Sequence, residues 1–458
     1  IAENPGNIMG WMTDNNGKLR IATTSDGVNT SLLYRDTEAE EFRVILTTNF
    51  KESVSPLYFT FDNQSLYVSS NRGRDKSAIY KFDFDTAKET DLIFEHDEVD
   101  VYGLMRSEKR KVITGVTYTT HKRQIQFFDQ WREDLQKKLE EKLQGVEVAI
   151  ADLSKDETKA IIVSYSDKSR GTYYYYNIEN DTLSKLADLS PWINKEYMAE
   201  MKPISYKSRD GLIINGYITI PVNSDGKNLP VIINPHGGPW ARDYWGFNSE
   251  VQFFANRGYA ILQMNFRGSV GYGREFWESS FKQWGKTMQD DITDGVNWLV
   301  EQGIADENRI AIYGASYGGY ATLAGLAFTP DLYACGVDYV GVSNIFTLLE
   351  TLPPYWELGR EMMYEMIGNP ETEKDLLKAA SPLFHADKIT SPLFIAQGAN
   401  DPRVKQSESD QIVEALKDRG IDVPYMVKDN EGHGFSNEEN KFEFYEEMEK
   451  FLQQHLKN

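Results

Sequence analysis

Over residues 1–195, short apolar or aromatic runs alternate with turns rich in Asp, Asn, Gly and Ser, a pattern that predicts strands of four to eight residues. The runs repeat. Leu19-Arg20-Ile21-Ala22, Leu66-Tyr67-Val68-Ser69, Val112-Ile113-Thr114-Gly115 and Ile161-Ile162-Val163-Ser164 begin 47, 46 and 49 residues apart. A second ladder follows each, at Tyr34-Arg35-Asp36, Phe82-Asp83, Phe128-Asp129 and Tyr176-Asn177, with its polar residues 47, 46 and 48 apart. A period of roughly 40–50 residues with several strands per unit predicts propeller blades, about four of them, with an ordinary β-sandwich as the alternative. Between the third and fourth units the period changes. Gln130 to Gln144 places Trp131, Leu135, Leu139 and Leu143 at helical spacing behind the capping residue Asp129, and predicts an inserted helix packed on a neighbour. Glu133 with Lys137 and Asp134 with Lys138 would flank that stripe as i,i+4 pairs.

From residue 200 to 458 the grammar is different. A hairpin, Lys202–Lys207 with Ile213–Ile220, is followed by buried-strand runs at Val231–Asn234, Tyr259–Met264, Arg309–Tyr313, Gly336–Val340, Leu393–Ala396 and Tyr425–Lys428. Helix-length segments such as Thr287–Gln302 and Glu408–Arg419 separate several of them. Strand–helix alternation predicts a doubly wound, mostly parallel sheet covered on both faces, an α/β domain at 200–458 preceded by an all-β domain at 1–195.

Charge narrows the partners. With 49 Lys and Arg against 70 Asp and Glu, the net charge is -21, which repels phosphate backbones and anionic lipid, so neither nucleic acid nor membrane is an expected partner. Cys335 is the single cysteine, within the apolar run Ala334–Val337; this excludes an intrachain disulfide and suits a buried thiol. The first residues, Ile1-Ala2-Glu3-Asn4-Pro5, give no targeting signal to read, so the compartment stays open. No H-E-x-x-H occurs and the six histidines are scattered, so no metal is expected. Gly268–Gly273 lacks the spacing of a phosphate or dinucleotide loop and is read as a strand-to-loop crossing, so no cofactor is expected either.

Sites in open α/β sheets form beyond the carboxyl ends of the strands. After Arg309–Tyr313 comes Gly314-Ala315-Ser316-Tyr317-Gly318-Gly319, a G-x-S-x-G turn that would project Ser316 as a nucleophile. A serine hydroxyl needs a base, and the base needs a carboxylate to orient it. His96 and His121 lie in the repeat half, His455 in the polar end of the last helix, and His385 ahead of a strand. His433, in the loop after Tyr425–Lys428, has the right address. Asp401 stands in the equivalent loop after Leu393–Ala396, with Asp429 as the rival orienting carboxylate. The order Ser316, Asp401, His433 is the α/β-hydrolase order. For an oxyanion, the backbone N–H of Tyr317 is one donor. Gly238 in Pro235-His236-Gly237-Gly238-Pro239-Trp240 is the expected second, with His236 structural.

The ordered motifs HGGPW, NFRGSVGYG, WG followed by DD, GASYGGYA, QGANDPRV and EGHGF resemble the prolyl oligopeptidase family of serine peptidases, the acylaminoacyl-peptidase-like branch above all. The resemblance covers residues 200–458 closely and the repeats loosely. It implies an α/β hydrolase behind a propeller that screens access, admitting short peptides. It also implies seven or eight blades, so four would leave an open edge for a second copy or a companion chain. A dipeptidyl branch of the family holds a free ammonium with a Glu-Glu pair from its propeller. Here Glu40-Glu41 and Glu140-Glu141 both read as solvated, whereas Arg403, two residues beyond Asp401, suits the carbonyl of an N-acyl group and repels an ammonium. The expected activity is therefore hydrolysis of short, N-acylated peptides. A carboxylesterase or a dipeptidyl peptidase on the same fold is the alternative, and a propeller binding module with an inert hydrolase domain is the reading from another class.

Overall fold

Regularly spaced β-rich runs become four consecutive antiparallel meanders in the computed structural model, which describes residues 2–456. They span 8–49, 54–94, 101–127 and 147–188 and contain four, four, three and four strands. The runs that repeat in the sequence are the second strands of these sheets, at Leu19–Ser25, Leu66–Ser70, Val112–Thr119 and Lys159–Ser166. Successive sheets share cores. Ile21, Leu32 and Tyr34 of the first pack with Phe59, Leu66, Val68 and Phe82 of the second, and Ile79 of the second packs with Val101, Leu104 and Val116 of the third.

The predicted helix forms at Gln130–Lys142, with Asp129 accepting the Arg132 N–H as its cap. It stands in the chain where the other three sheets have their fourth strand, so it replaces a strand rather than adding to a complete unit. Leu135 and Leu139 are buried against Val148, Ile162 and Tyr176 of the fourth sheet, with Trp131 and Leu143 at the margin of that cluster. Of the two expected i,i+4 pairs, Glu133–Lys137 forms at 2.6 Å. Asp134–Lys138 does not, because Lys138 finds Asp181 of the fourth sheet at 3.1 Å while Asp134 accepts from Gln130.

The chain divides into two units. One comprises residues up to Asn194 together with Gly271–Glu275, and the other comprises Lys195–Val270 and everything from Phe276 onward. The second unit is built on eight strands: β1 (Met201–Lys207), β2 (Ile213–Thr219), β3 (Leu229–Ile233), β4 (Ala260–Asn265), β5 (Ala305–Ala315), β6 (Cys335–Tyr339), β7 (Leu393–Gly398) and β8 (Tyr425–Lys428). They lie in the order β1-β2-β4-β3-β5-β6-β7-β8. The β1–β2 and β2–β4 pairings are antiparallel and the remainder parallel, so this is the mixed sheet of an α/β hydrolase. Helices α1 (Ser249–Asn256), α2 (Thr287–Glu301), α3 (Tyr317–Phe328), α4 (Gln406–Lys417) and α5 (Glu438–Leu456) cover it. On one face Ile232, Ile261, Ala311, Tyr313, Val337 and Phe394 pack with Phe254 of α1 and with Phe444, Met448 and Leu452 of α5. The alternate residues point to the opposite face, as strand geometry requires. There Gly325 of α3 sits against Ile312, and Ser409 of α4 donates to Gln397 of β7. Strands β4 and β7 are buried along their whole length, which is why they read as buried-strand runs in the sequence. Among the described residues, no helix is long and apolar enough to cross a membrane.

Candidate active site

Ser316 follows β5 directly and caps α3 in a backbone conformation, φ 60° and ψ -118°, that few L-residues adopt. Two glycines permit that turn. A Cβ on Gly314 would lie 2.6 Å from the Gly318 carbonyl carbon, and one on Gly318 would lie 2.3 Å from the Pro235 oxygen, so strand, helix and the loop after β3 cross at van der Waals limit. The Ser316 N–H is held by the Tyr339 carbonyl at 2.9 Å.

Asp401 and His433 extend from β7 and β8, two and three strands along from β5. The His433 Nδ1 lies 2.7 Å from Asp401 Oδ2, while Asp401 Oδ1 accepts the N–H groups of Arg403 (2.8 Å) and Val404 (3.0 Å). The Asp401 carboxylate is fully buried. A carboxylate can only accept, so Nδ1 carries the proton and Nε2 keeps its lone pair. Such a pair can accept a proton from a neighbouring hydroxyl and stabilise the imidazolium that results. Asp429, the rival carboxylate, is engaged through its backbone carbonyl, which accepts from the Asn400 side chain.

Beside the Ser316 elbow runs the loop Pro235–Gly238. Gly238 has φ 127°, and a Cβ there would meet the Trp240 amide nitrogen at 2.7 Å. A Cβ on Gly237 would come within 3.5 Å of the Ser316 Cβ, which puts this loop against the elbow. His236 braces it. Nδ1 donates to the Gly237 carbonyl at 2.7 Å, Nε2 lies 2.9 Å from Ser269 Oγ, and the ring stacks on Phe266 at 4.4 Å. Burial pushes the imidazole down to about 4, so it is neutral at working pH. Tyr317, the first residue of α3, buries its ring edge-on against Trp284 and so fixes the backbone carrying its N–H. Arg403 is exposed, with its guanidinium 5.9 Å from the Trp356 ring centroid. Among the described residues, no group of three or more His, Cys, Asp or Glu side chains is placed to hold a metal ion.

Two supports were not legible in the sequence. Tyr339, at the end of β6, accepts the Ser316 N–H with its carbonyl and the Phe435 N–H with its hydroxyl, tying the elbow to the segment two residues past His433. Glu431 accepts the backbone N–H groups of Ser436 (2.8 Å) and Asn437 (2.9 Å) and the Asn440 amide (2.7 Å), closing the loop around His433. These hydrogen bonds outweigh its desolvation and hold the carboxyl at about 2. The acid at 431, three residues past β8 and just before Gly-His-Gly, was the signal available.

Residues 245–458 match the Prolyl oligopeptidase family. Dipeptidyl aminopeptidase BIII of Pseudoxanthomonas mexicana is 38% identical over 477 residues, covering 100% of this chain and 68% of that protein. Dipeptidyl peptidase family member 6 of Caenorhabditis elegans is 32% identical, covering 97% of this chain and 64% of that protein. The chain thus spans about two thirds of the length of these relatives. Among solved structures, a Mycobacterium tuberculosis puromycin-hydrolyzing peptidase superposes with a TM-score of 0.82 over 99% of this chain and 70% of its own, at 22% identity, a likeness of fold.

Proposed function

Because this chain belongs to the prolyl oligopeptidase family of serine peptidases, we propose that it hydrolyses short peptides through an acyl-enzyme formed on Ser316. His433 Nε2 takes the Ser316 proton as the hydroxyl attacks the scissile carbonyl, and returns it to the leaving amine. Asp401 holds the imidazole in the required tautomer, and the N–H groups of Tyr317 and Gly238 receive the oxyanion. The observation that carries this reading is the 2.7 Å bond between His433 Nδ1 and a fully buried Asp401 carboxylate, beyond the ends of strands two and three along from the one that leads into the Ser316 elbow. A fluorophosphonate probe should label the intact chain at one serine, and Ser316→Ala should abolish labelling with the fold preserved. Labelling that persists at another serine would refute the assignment.

For the substrate end, the reading favoured is release of dipeptides from a free amino terminus. Its support is that relatives named for that activity match this chain along its whole length, repeats included. The second reading, N-acylated peptides, is carried by the exposed Arg403 beside the Asp401 loop, whose guanidinium would bind an acyl carbonyl and repel an ammonium. Paired anilides with free and acetylated amino ends separate the two. Higher kcat/KM on the free amine supports the first, and higher kcat/KM on the blocked peptide, eroded by Arg403→Val more than ester turnover is, supports the second.

A further inference from the structure

This inference rests on the assignment of Ser316, His433 and Asp401 just proposed and concerns what sets their spacing. The segment from Tyr339 to Asn344 leaves the carboxyl end of β6 and connects the nucleophile's side of the site to the acid's side. At its start, Tyr339 holds the Ser316 amide. Val340 then takes φ 49°, a left-handed conformation foreign to a β-branched residue and therefore imposed by its surroundings. Gly341 follows so close to α3 that a Cβ on it would lie 2.6 Å from the Gly319 carbonyl carbon and 2.1 Å from the Asp338 carboxyl.

At its other end the segment closes on Glu408, in the first turn of α4 and only 1% exposed. Glu408 Oε2 accepts the N–H groups of Ser343 (3.0 Å) and Asn344 (2.9 Å) and the Gln411 side-chain amide (3.1 Å). Oε1 accepts from the Thr347 hydroxyl, and the Glu408 backbone carbonyl accepts the Ser343 hydroxyl at 2.7 Å. Two backbone N–H groups without helix or strand partners are thus satisfied by one carboxylate from a distant helix. The same turn of α4 supports the acid loop. Ser409 donates to Gln397 Oε1 at 3.0 Å, and Gln397 Nε2 donates to the Val404 carbonyl at 3.1 Å, closing the turn that contains Asp401.

We propose that Glu408 is a positioning residue for the reaction: by clamping Ser343 and Asn344 to the start of α4, it sets the Asp401–His433 pair at its working distance from the Ser316 elbow. The hydrogen bonds of the Glu408 carboxylate go to Ser343, Asn344, Thr347 and Gln411 and not to Ser316, Asp401 or His433. Its effect is on alignment, where a displacement of about 1 Å costs on the order of a hundredfold in rate.

The experiment measures the rate of fluorophosphonate labelling at Ser316 in the intact chain, alongside the low-field proton resonance of His433 Nδ1–H. In Glu408→Gln, the amide oxygen can accept both backbone N–H groups while the amide nitrogen donates to Thr347, so labelling within about threefold of wild type is expected. In Glu408→Leu, labelling should slow by roughly 10–100-fold with the His433 resonance shifted or lost. If the leucine variant does not fold, Ser343→Ala removes one strut of the brace and should slow labelling by about 3–10-fold. Wild-type labelling rates in Glu408→Leu, or in Ser343→Ala where that variant stands in for it, with only the melting temperature lowered, overturn the proposal. So does Glu408→Gln as slow as Glu408→Leu. A wild-type chain that shows the His433 resonance but takes no label would instead fail the Ser316 assignment, and this inference with it.

Discussion

Asp401 commits both oxygens, one to two backbone N–H groups and one to His433, and this division makes its replacement diagnostic. Asn at 401 presents an amide that either donates to His433 Nδ1, forcing the proton onto Nε2, or gives up the Arg403 and Val404 amides. Steady-state kcat should fall by about 10⁴. Asp429→Asn leaves its engaged backbone carbonyl untouched and should change kcat by less than about threefold. A large loss at 429 with activity retained at 401 would reassign the orienting carboxylate. Gly238 gives a second residue-level test. Alanine at φ 127° is strained, and its Cβ would press on the Trp240 amide, so the loop must move and its donor with it. The expected result is a loss of about 10²–10³ in kcat with a smaller change in KM, as for an oxyanion donor. An unchanged kcat would remove Gly238 from that role.

At the scale of elements, the helix Gln130–Lys142 is held to the fourth sheet by few side chains. Leu139, fully buried beside Ile162 and Tyr176, should cost about 2–4 kcal/mol on replacement by Ala, read as a lowered unfolding midpoint. A cost below about 1 kcal/mol would mean that the helix is not docked there. This helix was legible because one apolar stripe sets its period. Helix α3, buried along nearly all its length, shows no amphipathic rhythm and was legible only as the Ala- and Leu-rich stretch that follows the Ser316 turn. Strand β5 begins at Ala305, four residues before the apolar run, because Asp306, Glu307 and Asn308 interrupt the pattern at a partly exposed end. Ser316, Asp401 and His433 could be addressed from sequence because each follows a recognisable strand. Tyr339, Glu408 and Glu431 could not, since Tyr339 and Glu408 act across 23 to 96 residues of chain and Glu431 through a loop closure that leaves no periodic trace. The same limit explains Lys138 on the helix, whose partner Asp181 lies 43 residues on in a turn of the fourth sheet.

Over the whole molecule, buried ionisable groups pull stability in opposite directions with pH. Glu431 sits at about 2 against an ordinary 4.5, so its contribution is complete above 4.5 and lost as pH falls toward 2. His236, held at about 4 against 6.5, stays neutral while the unfolded chain takes up a proton, so stability also falls as pH drops from 6.5 to 4. Asp338 acts the other way. Burial raises its carboxyl to about 7 from 3.8, so the native state keeps a proton that the unfolded chain loses, and this contribution fades as pH rises from 3.8 to 7. Asp243, raised by burial to about 7, adds to that limb. Asp338→Asn removes one titration and should gain about 2–3 kcal/mol relative to wild type between pH 5 and 8. Thermal melts of both proteins at the two pH values measure this, and a parallel pH response in both would show that Asp338 does not titrate in that range.

The strand order of the second unit has a further consequence, in time. The chain leaves the ribosome with Ser316 ahead of Asp401 and His433 last, in the loop after β8 at the sheet's edge. At about 5–20 residues per second, the elbow is made roughly 6–23 seconds before the histidine. During that interval the nascent chain carries the Ser316 turn without His433, and for the first 85 residues of it without Asp401 as well. On the roles proposed for these three residues, the order of synthesis would keep the chain hydrolytically silent until β8 and the loop that follows it have been made.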